Sequence, residues 1–171
     1  MAFAYYERLS PRAQAIYRAS AAVTAVPLPA PERAWPLVGA LEAGLRRDDR
    51  REVQRVSGML ATVLTDMLAV PPLEIKVRAV RPTLSSSELH GLYTRDGKTP
   101  PRIEIWMRTA RLGRVVAFRT FLRTLLHEVV HHLDYTQLRL ADSLHTEGFF
   151  KRESSLFQQL TRRPPAAGDP S

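Results

Sequence analysis

The chain has 171 residues, 44% hydrophobic and 25% charged, an ordinary balance for one folded domain and far from that of disordered or fibrous chains. It has no cysteine, which removes disulfides, iron–sulfur ligation, thiolate zinc ribbons and a cysteine nucleophile together, so any metal must rest on histidine and carboxylate. The net charge of +8 is almost wholly arginine and admits an anionic partner such as nucleic acid, although the arginines are scattered and form no single tract.

The opening stretch, MAFAYYERLSPRAQ, has no basic segment ahead of an apolar run, and no later stretch reaches the roughly eighteen apolar residues of a membrane span. The expectation is a cytoplasmic protein with no membrane partner. Residues 11–26 and 31–47 read as helices, each opened by a proline-containing turn. In RREVQRVSGMLATVLTDMLAV, Val53, Val56, Leu60, Val63, Leu64, Met67 and Leu68 recur at steps of three and four, which predicts an amphipathic helix of about five turns ended by Pro71 and Pro72.

The period then changes to two. LEIKVRAV alternates Leu73, Ile75 and Val77 with Glu74, Lys76 and Arg78, and RIEIWMRT alternates Ile103, Ile105 and Met107 with Glu104, Trp106 and Arg108. A further strand is expected in LHGLY, and TRDGKTPP carries the Asp96-Gly97 pair and prolines of a turn. These segments predict a small antiparallel sheet. Helical spacing returns over residues 115–135, a loop follows to about Ser143, and TEGFFKRESSLFQQL forms a last helix with Phe149, Leu156, Phe157 and Leu160 as its apolar stripe. RRPPAAGDPS reads as a disordered tail, residues 162–171. The fold class is therefore α+β: a domain over 71–161, with a helical extension over 1–70 packing on it.

LLHEVVHHLD, residues 125–134, holds three of the five histidines. At about 100° per residue, with His127 at zero, His131 falls at about 40° and Glu128 at about 100°. Phe118, Leu122, Leu125, Leu126, Val129 and Leu133 form an arc on the opposite side. Imidazoles at i and i+4 stand one turn apart on one face, as a shared metal ion requires. The glutamate between them projects to the side, where it can take a proton from a metal-activated water and pass it to a leaving amine, the chemistry behind the H-E-x-x-H pattern. His132, at about 140°, lies at the margin of the apolar arc and reads as a partly buried bystander. Asp134 and Tyr135 fall near the ligand face one turn on, where they suit support of a ligand histidine and donation to an oxyanion, or a plain packing role.

A catalytic zinc site takes three protein ligands and leaves a position for water, so a third ligand must come from beyond the helix. The loop after Tyr135 lets the chain return, and Asp142, His145, Glu147 and Glu153 are the candidates.

The order of a strand (RIEIWMR), a helix bearing TLLHEVVHHLD and then HTEGFFKRE resembles the SprT-like zinc metalloproteases, a minimal zincin fold, over roughly residues 73–161. In that family a second motif places phenylalanine four residues after a histidine, often with a basic residue next, and His145, Phe149 and Lys151 approximate it. The resemblance implies that His145 is the third zinc ligand; with His127 and His131 it is expected to hold one Zn2+ per chain, with Glu128 as general base. Many relatives add a cysteine-bearing zinc ribbon, which this chain lacks. The expected activity is hydrolysis of peptide bonds in a protein or peptide substrate, with RIEIWMRT as the sheet edge to which an extended substrate would add. The alternative is a non-catalytic or regulatory metal-binding module that binds nucleic acid or a protein partner through its basic surface.

Overall fold

The computed structural model describes residues 2–83 and 90–162. Among these, five helices surround a three-stranded sheet, the α+β class expected. The reading of residues 162–171 as a tail, and Leu89 of the expected LHGLY strand, fall largely or wholly outside the described residues.

Helix α1 (Pro11–Ala22) starts where Ser10 accepts the Ala13 N–H at 3.2 Å, with proline in the first turn, where its missing N–H matters least. It stops four residues short of the expected end. Arg152 donates to the Ser20 and Val23 carbonyls at 2.7 and 2.5 Å, so a guanidinium from a distant helix satisfies the last turn and Val23 turns extended. The segment expected as one helix over 31–47 divides into a short 3-10 turn, Pro31–Arg33, and α2 (Trp35–Arg46). Helix α3 (Arg50–Met67) is capped by Asp49, which accepts the Glu52 N–H at 3.0 Å, and ends ahead of Pro71 and Pro72 as its sequence predicts.

The sheet differs from the antiparallel one expected. Strand β1 (Glu74–Val80) pairs in parallel with β3 (Arg102–Arg108), and only β2 (Gly91–Thr94) and β3 form an antiparallel hairpin, in the order β1-β3-β2. The next strand in the chain, β2, lies at the far edge and runs opposite to β1. The return through Gly97, whose φ of 72° needs no Cβ, therefore lays β3 between its neighbours in the direction of β1. RIEIWMR is accordingly the central strand, and the expectation that it offers a free edge is corrected. The register sets Ile75 opposite Ile103 and Val77 opposite Ile105, all four buried.

Helix α3 lies against β1, and α4 (Phe118–Thr136) against β2, β3 and α5 (Glu147–Thr161). Residues before and after position 70 enter one hydrophobic core: Leu41, Val53 and Leu60 belong to the same cluster as Ile103, Leu122, Leu126 and Phe149, all at 0% exposure. Each such side chain contributes about 1.5–3 kcal/mol relative to an exposed one. No helix among the described residues is long and apolar enough to cross a membrane.

Candidate metal centre

Helix α4 buries Leu122, Leu125, Leu126, Val129 and Leu133, and this back face fixes which way the polar side points. His127 and His131 leave it one turn apart. The loop after α4 then brings His145 back, and its Nε2 lies 3.0 Å from His127 Nε2 and 3.2 Å from His131 Nε2. These three residues are close enough to hold a metal ion. Nitrogens bound tetrahedrally at 2.0–2.1 Å sit about 3.3 Å from one another, so the spacing fits a small divalent ion at their centre.

The remaining ring nitrogens explain why Nε2 faces inward. His127 Nδ1 meets Glu153 Oε2 at 3.1 Å, and His131 Nδ1 meets Ser143 Oγ at 2.7 Å. Ser143 donates its own hydroxyl proton to Asp134 Oδ2 at 2.7 Å, so it accepts from His131. With Nδ1 protonated in both rings, the Nε2 lone pairs are left for an ion, and the hydrogen-bonded carboxylates raise their donor strength. Phe149 lies under all three imidazoles, its ring 4.8, 4.7 and 4.9 Å from those of His127, His131 and His145, and is itself fully buried. Burial, reinforced by the other two rings, pulls His131 down to about 3. Burial also lowers His145, with His127 acting in the same sense and Glu153 against it. Both rings are therefore neutral at pH 7, the form with an electron pair to give.

Of the four candidates for a third ligand, only His145 joins the pair. Glu147 accepts from the Tyr17 hydroxyl at 2.7 Å, Asp142 accepts from Tyr135 at 3.3 Å, and Glu153 supports His127 from behind. His132 is fully buried instead of marginal. Its Nε2 donates to the Pro71 carbonyl at 2.9 Å and its Nδ1 accepts from the Tyr93 hydroxyl at 3.0 Å, which ties α4 to β2 and to the entry of β1.

Glu128 shares a cavity of about 600 Å³ with the three histidines, Tyr135, and Gly91, Leu92 and Tyr93 of β2. Glu128 is 7% exposed, and burial pushes its carboxyl above the usual glutamate range, with His127 and then the Tyr93 backbone pulling the other way. Gly91 makes this fit possible. A Cβ there would lie 2.7 Å from Glu128 Oε1 and 2.8 Å from its Cγ, so a side chain on β2 would displace the acid.

Sequence reasoning missed Gly91, Ser143 and Arg152, and read Tyr93 only as a strand residue. Asp134 does support a ligand-face histidine, through Ser143, while its other oxygen accepts from Arg152 at 2.7 Å in a pair with both side chains at 0% exposure. Burial raises the Asp134 carboxyl, with Arg152 and Ser143 pulling the other way. Tyr135 lines the cavity, stacks on Tyr93 and lies under the Arg95 guanidinium. Comparison with protein-family models, with curated proteins and with solved structures finds no match to this chain.

Proposed function

We propose that the chain is a zinc metallopeptidase of the SprT-like kind, which cleaves peptide bonds in an extended protein or peptide segment. The observation that carries this reading is the joint placement of three convergent imidazole nitrogens, a buried glutamate and a strand edge around one open cavity. Three protein nitrogens leave a coordination position for water, as a catalytic site needs and a closed structural site lacks. Zinc held by His127, His131 and His145 would supply a Lewis acid for the scissile carbonyl and a water acidified toward neutrality.

The protein's own groups supply the rest. Glu128 takes a proton from the attacking water, and the apolar surroundings that raise its affinity for that proton fit it to the role. It then delivers the proton to the leaving amine. Its carboxylate lies against Gly91 of β2, beside the place where the peptide would lie.

Of the two edge strands, β2 suits the substrate. The edge of β1 is occupied by Gln54 of α3, whose Nε2 donates to the Ile75 carbonyl at 2.8 Å and whose Oε1 accepts the Val77 N–H at 2.7 Å, in imitation of a fourth strand. The outer edge of β2 pairs with no strand among the described residues and borders the cavity. A peptide added there gains main-chain hydrogen bonds without a demand on its sequence.

The test is hydrolysis of a flexible protein substrate such as casein. Cleavage is expected from the purified protein, to disappear on treatment with a strong zinc chelator, and to return with about one equivalent of zinc per chain. Cleavage that continues undiminished after metal removal contradicts the reading.

A further inference from the structure

We infer that the N-terminal segment from Phe3 to Val23 is a positioning element for the third imidazole, holding the turn that carries His145 against His127 and His131. The inference rests on the metal-site reading above and adds a role for residues outside the span that carries the motifs.

The three histidines are fixed by different means. His127 and His131 stand on a buried helix, and each has its Nδ1 engaged by Glu153 or Ser143. His145 is exposed, lies in irregular backbone between α4 and α5, and among the described residues has no hydrogen-bond partner at Nδ1. Its ring rests on Phe149, 4.9 Å away, and otherwise takes its direction from the main chain that carries it. A loop held only by its two ends samples many conformations, and ordering them would weaken metal binding.

Four consecutive residues, 145 to 148, each meet the N-terminal segment. The Tyr5 hydroxyl donates to the His145 carbonyl at 2.5 Å. Ser20 Oγ and Thr146 Oγ1 share a hydrogen bond of 2.9 Å, with both residues at 0% exposure. Tyr17 donates to Glu147 Oε2 at 2.7 Å. Gly148 lies so close to α1 that a Cβ would collide with the Ser20 carbonyl and the Ala21 main chain. Thr146 also caps α5 by accepting the Phe149 N–H at 3.0 Å, so the residue after His145 is anchored to both helices. One turn further on, Arg152 joins the end of α1 to Asp134, and through Ser143 to His131. The N-terminal segment thus reaches two of the three imidazoles through named hydrogen bonds.

The experiment measures zinc affinity by competition with a chromophoric chelator, in the full chain. Tyr5→Phe with Tyr17→Phe removes two hydroxyls and keeps the rings, which pack edge to face at 5.7 Å. We expect zinc affinity to fall about 10- to 100-fold, the usual effect of losing outer support for a ligand. The same pair of substitutions is then placed on His145→Ala. Because the segment acts through residue 145, no further loss is expected there. Wild-type affinity in the double tyrosine variant overturns the inference, and so does an equal loss in both backgrounds, which marks a general structural effect. A wild-type chain that binds no zinc at all overturns the metal-site reading first, and the positioning role with it.

Discussion

Glu128→Gln is expected to retain zinc and lose about 10²- to 10⁴-fold in the rate of peptide hydrolysis, the usual contribution of a positioned acid–base group. That is roughly 3–5 kcal/mol at the transition state. Glutamine has the shape of glutamate, so neither the helix nor the packing against Gly91 need change. It cannot take a proton from water at neutral pH. Zinc content is expected to stay at the wild-type level because the residue is not one of the three clustered histidines. Measuring metal content and cleavage on the same preparation separates the two roles. A variant that cleaves as fast as wild type rules Glu128 out as the base, and one that loses its zinc makes it a structural or ligating group instead.

Arg152→Met is expected to lower unfolding stability by about 3–5 kcal/mol, the range for removing one partner of a buried ion pair. This is a large share of the 5–15 kcal/mol typical of a folded domain. The guanidinium donates to the Ser20 and Val23 carbonyls, the Ser20 hydroxyl and Asp134, and it is fully buried. Its loss leaves the Asp134 charge without its main partner and the end of α1 without a cap. Adding Asp134→Leu should recover part of the stability, because the uncompensated charge is then gone. Urea denaturation measures all three proteins. A single variant with the wild-type midpoint means that the pair does not hold this part of the core together.

The sequence made some of this legible and not the rest, for physical reasons. Spacing along one helix is a local property, so the common face of His127 and His131, the apolar arc behind them and the sideways position of Glu128 followed from 100° per residue. The α+β class followed from the change between periods of 3.6 and 2. Strand order is non-local. Alternation in RIEIWMR reports one buried face and says nothing about how many neighbours a strand has, so it does not tell a central strand from an edge. The same limit hid Gln54, whose amide covers β1 only because α3 packs there. Ser143 and Arg152 carry no signal of their own; a lone serine in a loop and an arginine on an amphipathic helix acquire roles when the chain returns past α4. For Gly91 a signal existed: an unforced glycine within an expected strand is a mark of close approach by another group.

The central claim is that His127, His131 and His145 together bind one zinc ion and leave a place for water. X-ray absorption at the zinc edge, on protein shown to contain one zinc per chain, tests it most directly. The account predicts three imidazole nitrogens and one oxygen at about 2.0–2.1 Å, with one imidazole lost from the shell in His145→Ala. Four protein ligands around the zinc, or a shell unchanged by loss of His145, would contradict it.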